Sequence, residues 1–331
     1  MNVNQEKVKA LGLCSGGLDS ILAAIVLQKL GIDVEWISFE TPFFSADKAK
    51  KAADRIRIPL TVKNITGIYM QMLKNPNCGY GKNMNPCMDC HALMFRLAGE
   101  IMDERGFHFL FSGEVLGQRP MSQTRTSLKY VEKHSGMEGY ILRPLSARKL
   151  DETIPEKNGW VDRNKLLDIS GRGRKRQIEL AGEFGVTDYP APAGGCLLTD
   201  KGYCHRLKDL LAHKDNVSKN ELMLLRFGRH FRTPEGTKII VGRTMEDNEN
   251  ILKYYDPNSD IMMRVNNYPS PTVLVSGFAK EGDIYLAAAM CAGYGKLPEK
   301  VSIEVTAAGA NGHKTILVFP VKPSEVKHLL V

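Results

Sequence analysis

The fold of this chain is decided by one stretch, Cys14-Ser15-Gly16-Gly17-Leu18-Asp19-Ser20. The alternation of apolar and polar residues over 7–13 predicts a β-strand before it, and the apolar spacing over 18–30 predicts an amphipathic helix after it. Glycines at such a turn let the backbone approach an anion closely, and the start of a helix offers N–H groups that lack intrahelical partners. The stretch therefore predicts a phosphate-binding loop.

Asp19 is the residue of this loop that would repel a phosphate group. A carboxylate is expected there mainly as a ligand of Mg²⁺ or as a brace of the loop. We therefore expect Asp19 to be a catalytic residue that organises Mg²⁺. Ser15 and Ser20 supply hydroxyl donors for phosphate oxygens.

The loop is not a Walker sequence, because GxxxxGK[ST] does not occur in the chain. Its SGGLDS string resembles the signature of the PP-loop ATP pyrophosphatases, which cleave ATP to AMP and pyrophosphate while adenylating a carbonyl oxygen. The resemblance implies an adenine nucleotide alpha hydrolase-like fold and ATP as the cofactor. The loop residues that it assigns to ATP are Cys14, Ser15, Gly16, Gly17, Asp19 and Ser20.

Strands and helices alternate after this loop. Strand-like runs over 34–39 and 60–65 enclose a helical pattern over 46–56, and a further strand-like run follows over 108–111. Two more helices are predicted, over 162–168 and 174–184. The alternation predicts the α/β class, with a doubly wound parallel sheet that binds ligands at the carboxyl ends of its strands. The expected ATP contacts at these ends are Ser38 and Phe39, beside the adenine, and Gly113 and Gln118, in the loop after the fourth strand.

Positive charge is concentrated in one segment. The chain has a formal net charge of +8, and residues 119–176 contain 14 Lys and Arg against 7 Asp and Glu, a net +7. An excess localised in this way favours a polyanionic partner. The densest part is 171–176, where the predicted RNA contacts are Arg172, Arg174, Lys175 and Arg176.

Three cysteines stand in contexts that predict chemistry. Cys87 and Cys90 form a CxxC ahead of a helical pattern over 92–105, and the start of a helix lowers the pKa of thiols and helps thiolates bind metal. Cys196 lies between glycines and a short apolar run, which predicts a positioned, reactive thiol. A CxxC is typical of redox sites, zinc sites and iron–sulfur clusters, so the kind of site stays open.

Four motifs in order resemble the tRNA thiouridine synthetases: SGGLDS, NPCMDCH at 85–91, SGEVLGQ at 112–118 and GGCLLTD at 194–200. The resemblance covers roughly residues 5–205 and is greatest to tRNA 4-thiouridine synthetases. The cysteine pattern is similar to that of 2-thiouridine enzymes and of 4-thiouridine enzymes that lack a rhodanese domain. The family implies tRNA as the partner, ATP-dependent adenylation of a uracil carbonyl oxygen, and displacement of AMP by sulfur. Neither an RNA-binding segment before SGGLDS nor a rhodanese-like domain is found, so we expect RNA capture and sulfur delivery to differ from that family.

Sulfur must be held beside the ATP site, and three roles compete for Cys87, Cys90 and Cys196. In the preferred one, all three ligate a 4Fe–4S cluster with one open iron. In the second, Cys87 or Cys90 carries a persulfide that Cys196 resolves as a disulfide. In the third, Cys204 or His91 completes a structural zinc site. Asp19, Cys87 and Cys196 are the predicted catalytic residues, and the sulfur donor is expected to be sulfide or a cysteine desulfurase.

A second, smaller domain is predicted over 215–331, after a thiolation domain over 1–210. Strand-like runs over 237–241, 261–265, 272–276, 301–305 and 315–319 and one helix over 283–294 predict an α+β domain. The domain resembles NFACT-R, for which RNA binding is proposed. The residues that carry this resemblance are Gly242, Asn248, Leu252, Asp260, Pro271, the alanines at 287–289, Tyr294 and Lys296. An oligomerisation module is the alternative, and a homodimer is left open.

Two other functions compete with tRNA thiolation. A PP-loop ligase or amidotransferase acting on a small molecule would not need the basic segment, and an RNA-binding, ribosome-associated factor would not need an intact SGGLDS. No apolar run reaches the roughly 18 residues that a membrane span requires, and the first ten residues show no signal-peptide core. The sequence therefore predicts a cytoplasmic protein with no membrane partner.

Overall fold

The computed structural model describes residues 7–191, 195–277, 279–295, 297, 301–310 and 312–331. Gly194 of the GGCLLTD string and Lys296 of the NFACT-R resemblance lie outside these residues. The chain divides into two compact units, Met1–Thr199 and Asp200–Val331, and the division falls ahead of the predicted boundary at 210–215. None of the described helices combines the length and apolarity that crossing a bilayer requires.

The first unit is an α/β domain built on a five-stranded sheet in the order β3-β2-β1-β4-β5. The strands are β1 Lys9–Leu13, β2 Asp33–Glu40, β3 Leu60–Asn64, β4 Phe109–Ser112 and β5 Ile141–Leu142. The helices are α1 Leu18–Lys29, α2 Asp47–Ile56, α3 Thr66–Lys74, α4 Cys87–Arg105, α5 Arg125–Ser135, α6 Ile154–Lys157 and α7 Lys175–Glu183.

All neighbouring strands of this sheet run parallel, which confirms the predicted class and sheet. Leu13 at the end of β1 is opposite Ile37 of β2 on one side and Ser112 of β4 on the other. The carboxyl ends of the three strands therefore meet at one edge. The phosphate loop, the end of β2 and the loop after β4 all emerge there, as the alternating pattern predicts.

Helix α1 lies in the centre of the core rather than along one side of it. Its buried residues include Leu18, Ile21, Leu22 and Ala24, so it is apolar on more than the one face that an amphipathic helix presents. Trp36 of β2 is fully buried in the same core. Because α1 packs against the core on most of its sides, it holds the loop that precedes it in a fixed position.

Two helix predictions need correction. Helix α4 begins at Cys87 instead of 92, because Pro86 occupies the N-cap position and both cysteines lie in the first turn. The segment 162–168 is not a helix but a short 3₁₀ turn, Arg163–Lys165, which begins where the Asp162 side chain accepts a hydrogen bond from the N–H of Asn164. Short polar side chains such as that of Asp162 often bond to nearby backbone groups at turns, and these hydrogen bonds compete with those of a helix.

The second unit is an antiparallel α+β domain with the strand order β11-β10-β8-β9-β7-β6. Its strands are β6 Arg229–Arg232, β7 Lys238–Val241, β8 Ile261–Val265, β9 Val273–Ser276, β10 Ile303–Gly309 and β11 Gly312–Val318. Its helices are α8 Lys201–His213, α9 Lys219–Leu224, α10 Met245–Tyr254 and α11 Glu281–Gly293. Sequence analysis missed β6, α8 and α10, and a capping box of Ser218 and Glu221 begins α9.

The two glycines of the phosphate loop have different tasks. Gly16 has a φ of +72°, and a Cβ on it would lie 2.2 Å from the backbone carbon of Lys48. Gly17 has a φ of −80°, and the nearest atom to a Cβ there is Ser15 Oγ at 3.5 Å. The fold therefore requires glycine at 16, whereas position 17 tolerates a side chain.

We expect Gly16→Ala to lower the free energy of unfolding by about 2 kcal/mol or more, because a left-handed conformation and a backbone clash act together. Gly17→Ala is the matched control, with an expected change of less than about 1 kcal/mol. Urea unfolding of both variants measures the difference. Equal stability of the two would contradict the close contact between the loop and α2.

Candidate functional site

Cys14 supports the phosphate loop through two hydrogen bonds. Its N–H donates to the Ile37 carbonyl at 2.9 Å, and its Sγ accepts from the Gly16 N–H at 3.3 Å. Burial raises the pKa of the Cys14 thiol to about 12. Cys14 is therefore a neutral, structural thiol, and any contact that it makes with ATP goes through its backbone.

The two serines of the loop bond to each other. Ser15 Oγ and Ser20 Oγ are 3.2 Å apart, and the Gly17 N–H donates to Ser15 Oγ at 3.4 Å. Ser20 is buried, whereas Ser15 is exposed. Within this pair, Ser15 is the hydroxyl that an incoming phosphate meets first.

Asp19 is half-buried beside the loop with one satisfied and one unsatisfied oxygen. Its Oδ2 accepts a hydrogen bond from Gln118 Nε2 at 2.9 Å, while its buried Oδ1 has no hydrogen-bond partner among the described residues. Burial raises the pKa of this carboxyl, against the lowering effect of Gln118, Arg174 and Arg119. A buried carboxylate oxygen without a donor suits a hard cation, so the site fits Mg²⁺.

The start of α7 also faces Asp19. Arg174 is the N-cap residue of α7, and its charge acts on Asp19, while its own Nε is buried without a hydrogen-bond partner in the described structure. Gln177, fully buried one turn later, donates to Gln118 Oε1 at 3.4 Å. Asp19 thus lies beside a cation and an amide that a second, buried amide supports, an arrangement suited to an anionic ligand with its metal ion.

The structure divides the predicted RNA contacts. Arg174 lies beside Asp19, but Arg172 and Lys175 are exposed. Arg176 is also exposed and pairs with Glu179 and Glu183 on its own helix. The prediction for RNA therefore rests on Arg172, Lys175 and Arg176, and Arg174 belongs with the ATP residues.

The remaining predicted ATP contacts lie at the same edge of the sheet. The side chains of Ser38 and Phe39 are buried, so the backbone of β2 is the part that faces a ligand. A Cβ on Gly113 would lie 2.4 Å from the carbonyl carbon of Asp19. Glycine at 113 therefore lets the loop after β4 pack directly on the phosphate loop.

Glu114 is the centre of a buried charge network that the sequence analysis missed. Its Oε1 lies 2.9 Å from His91 Nδ1, and its Oε2 accepts from Arg143 Nε at 3.0 Å. Burial alone would raise the pKa of Glu114, but Arg143 and His91 outweigh it and hold the pKa at about 2. Arg143, itself buried, also pairs with Glu132 of α5. The ionised Glu114 thus joins α4, the loop after β4 and the segment after β5.

The two thiols of the CxxC and one thiol from a distant part of the sequence lie within electrostatic reach of one hydroxyl group. Cys87, Cys90 and Cys196 all act electrostatically on Tyr69 of α3, and the Cys90 thiol shares a hydrogen bond with it. Burial raises the pKa of Cys90 well above its usual range, and the neighbouring Cys196 and Cys87 raise it further against the effect of Tyr69. The structure therefore brings together the three cysteines that the motifs single out, with Tyr69 as an unpredicted fourth member.

The segment that carries Cys196 is tied to this centre by its backbone. The N–H of Leu197 donates to the Phe43 carbonyl at 2.9 Å, and the Phe43 ring packs against Tyr69 with 5.6 Å between centroids. Asn83 Nδ2 donates to the Thr199 carbonyl at 2.7 Å. These bonds hold Cys196 over α3 and the start of α4.

The donor set at this centre suits a thiolate-ligated metal or cluster, since three thiols supply soft ligands. Over the described ranges, however, no three Cys, His, Asp or Glu side chains lie close enough together to bind a metal ion as they stand. Cys204 is buried in α8 of the second unit, and His91 Nδ1 is engaged with Glu114. Three thiols are suitable ligands for a cluster, but their side chains would have to move closer together to bind one.

We expect Glu114→Gln to lower the free energy of unfolding by about 3–5 kcal/mol, because Arg143 then keeps a buried charge without its partner. Glu100→Gln is the control, since Glu100 forms an exposed pair with Arg96 that is worth about 1 kcal/mol or less. Urea unfolding measures both values. Equal effects of the two substitutions would show that the network does not support the fold.

The same carboxylate predicts a pH dependence of stability. The pKa of Glu114 is lowered from 4.5 to about 2 on folding, so its stabilisation is present above pH 4.5 and is lost as the pH falls toward 2. The parent protein should lose stability over this interval more steeply than Glu114→Gln. Thermal unfolding between pH 5 and pH 2.5 tests this, and parallel curves would contradict it.

Two family models match this chain. Residues 5–155 match the model of the thiamine biosynthesis protein (ThiI), and residues 228–330 match that of the NFACT protein RNA binding domain. The two matches fall in different structural units, one over the PP-loop sheet and one over the antiparallel sheet.

Curated relatives cover part of the chain. It is similar to a probable tRNA sulfurtransferase of Thermoanaerobacter sp. (strain X514), with 30% identity over 44% of this chain and 39% of that protein. A probable tRNA sulfurtransferase of Acholeplasma laidlawii is 31% identical over 49% of this chain and 37% of its own length. A tRNA-specific 2-thiouridylase of the same Thermoanaerobacter strain is 27% identical over 64% and 60%. The chain thus spans less than two thirds of each of these relatives.

Solved structures show weaker similarity. A 4-thiouridine synthetase–RNA complex with bound ATP has a TM-score of 0.38 and 23% identity over 54% of this chain and 41% of that chain. The C-terminal part of a fibronectin/fibrinogen-binding protein from Streptococcus suis has a TM-score of 0.29 and 13% identity over 74% and 99%. These scores are too low to support an inference.

Proposed function

We propose, on the premise that residues 5–155 form a ThiI-type domain and residues 228–330 an NFACT-type RNA-binding domain, that this protein is an ATP-dependent tRNA sulfurtransferase. It adenylates a carbonyl oxygen of a uracil, releases pyrophosphate and replaces AMP with sulfur. One observation carries the proposal: Glu114 joins the helix of Cys87 and Cys90 to the loop that packs on Asp19. A phosphate loop and a thiol centre are thereby held in one unit.

The ATP half of the reaction belongs to the phosphate loop. Backbone N–H groups at the start of α1 and the hydroxyl of Ser15 bind the phosphates, and Asp19 holds Mg²⁺. Arg174, whose charge acts on Asp19, adds positive charge for the phosphates. The uracil oxygen attacks the α-phosphorus, and the bond to the β-phosphate oxygen breaks.

The sulfur half belongs to the thiol centre. A sulfur nucleophile adds to the ring carbon that carries the adenylated oxygen, and the carbon–oxygen bond then breaks with loss of AMP. Cys87, Cys90 and Cys196 would hold a 4Fe–4S cluster, which supplies an iron-bound site for the sulfur when it is present. The proximity of three thiols to Tyr69 supports this role and also suits a persulfide on Cys87 or Cys90. Its outer sulfur would add to the ring carbon as AMP leaves, and the Cys196 thiolate would then attack the inner sulfur, releasing the thiolated base and leaving a disulfide. The donor is sulfide for the cluster and sulfane sulfur from a cysteine desulfurase for the persulfide.

The proposed substrate is tRNA. The net +7 of residues 119–176 provides charge for a phosphate backbone, and Arg172 and Lys175 present part of it on the surface. The match of residues 228–330 to an RNA-binding domain supports a second contact. A ligase that acts on a small molecule would need neither the basic segment nor the RNA-binding domain.

We expect Asp19→Asn and Arg174→Ala to reduce tRNA-stimulated pyrophosphate release by about 100-fold and 10-fold or more, because the first weakens the Mg²⁺ site and the second removes a positive charge beside it. Arg172→Ala is the matched control from the same segment and should retain the rate at saturating tRNA. Pyrophosphate release measured with and without bulk tRNA tests all three variants.

The outcomes of this assay separate the competing functions. Release that does not depend on tRNA would favour a ligase that acts on a small molecule. No release under any condition, with tRNA binding retained, would favour an RNA-binding factor. If Asp19→Asn releases pyrophosphate at the parental rate, the phosphate-loop assignment is wrong.

We expect single Ala substitutions of Cys87, Cys90 and Cys196 to abolish thiolation of tRNA while pyrophosphate release persists, because adenylation precedes sulfur transfer. Cys78→Ala is the control, since Cys78 is exposed and outside the set around Tyr69. Mass spectrometry of tRNA nucleosides gives the product, and metal analysis of anaerobically purified protein gives the cofactor.

The metal content decides among the three roles of the cysteines. About four irons per chain, lost in each single variant, support the cluster. Thiolation by iron-free protein at the full rate supports a persulfide pair and overturns the cluster. Zinc that is released by Cys204→Ala or His91→Ala supports a structural metal site.

A further inference from the structure

The second unit contains an open groove that no part of the proposed chemistry uses. It lies between the first turns of α10 and the turn that joins β8 to β9, and its volume is about 460 Å³. Grooves of this size accommodate ligands as large as a nucleotide. Its main lining residues are Met245, Asn248, Glu249, Arg264, Tyr268 and Thr272.

Arg264 supplies a positioned positive charge on one wall. Its Nε and Nη2 donate to Thr272 Oγ1 at 3.4 and 3.2 Å, and Thr272 is buried. Arg264 itself is exposed, and none of the described carboxylates lies within ion-pair distance of it. A guanidinium that is oriented but not neutralised is well suited to a phosphate group.

The mouth of the groove carries exposed apolar side chains. Tyr268 is 44% exposed and Met245 is 78% exposed, and both line the same groove. Single exposed apolar side chains are ordinary on a protein surface, but two that line one groove offer an apolar contact to a ligand. An aromatic ring beside a free guanidinium is the arrangement on which unpaired bases stack in single-stranded nucleic acids.

The wall formed by α10 supplies hydrogen-bonding groups in fixed positions. Asn248 Oδ1 accepts from the Thr272 N–H at 2.9 Å, and a Cβ on Gly242 would lie 2.0 Å from that oxygen. Glycine at 242 thus makes room for the amide, whose nitrogen keeps its two donors. The carboxylate of the neighbouring Glu249 adds an acceptor. A donor and an acceptor side by side match the polar edge of a base.

We propose that this groove binds one unpaired nucleotide of an RNA strand, with the base on Tyr268, its edge at Asn248 and Glu249, and a phosphate on Arg264. The inference deepens the proposed function and rests on RNA being the substrate. The second unit then binds a loop or an end of the tRNA, because the unpaired bases of tRNA lie in its loops and ends and not in its stems.

The test uses the full chain and a fluorescent, unstructured ten-nucleotide RNA. Tyr268→Ala and Arg264→Ala should each weaken its binding about tenfold or more, and Arg264→Ala should reduce the salt slope of log K by about 1. Tyr268→Phe should bind as the parent does, because the ring is kept. Arg226→Ala is the matched control, an exposed arginine of the same unit outside the groove, and should not change the affinity.

Thiolation measured in parallel separates this inference from the proposed function. A loss of oligonucleotide binding in Tyr268→Ala and Arg264→Ala, with the affinity retained in Tyr268→Phe and Arg226→Ala, supports the groove. It does so even if the parent protein thiolates no tRNA. Parental affinity in both variants, or displacement of the oligonucleotide by free UMP at equal concentration, overturns the groove as an RNA site and leaves the sulfurtransferase proposal intact.

Discussion

The first unit depends on a buried carboxylate, Glu114, that cannot lose its charge at neutral pH. Arg143 is almost inaccessible to water and needs this counter-charge, while His91 needs the carboxylate oxygen to hold its ring. The residue before Glu114 is the glycine that packs on Asp19, and the residue before His91 is Cys90. One electrostatic contact therefore links the loop at 14–20 to the start of α4, the two segments to which the proposed function assigns phosphate and sulfur.

Local sequence patterns predicted those parts of the molecule that local physics determines. The phosphate loop, its strand and its helix follow from alternation and glycine placement, and the parallel sheet follows from the repeated strand–helix order. The start of α4 was missed because the polar residues before 92 hide a helical turn that Pro86 begins. Tyr69 and Glu114 carry no local signal, since Cys90 lies 21 residues from Tyr69, and His91 and Arg143 lie 23 and 29 residues from Glu114.

The basic segment, 171–176, also shows how far local sequence patterns can predict the positions of side chains. Charge density marks 171–176 as one cluster, but the first turn of α7 points neighbouring side chains in different directions. The charge of Arg174 acts on Asp19, whereas Arg176 pairs with Glu183 of its own helix. In the second unit, Gly242 and Asn248 carry a family resemblance in sequence, and only the contact between them explains why a glycine and an amide occur together.

The raised pKa of Cys90 has a consequence for the reactivity of this residue. Oxidants and alkylating agents react with thiolates, and a thiol whose pKa lies well above its usual range is protonated at physiological pH. Cys90 is therefore less reactive toward these agents than an ordinary exposed thiol. Under the proposed function, a metal ion or a sulfur donor that binds Cys90 has to displace its proton. Loading would then be the step that activates a residue that is otherwise inert.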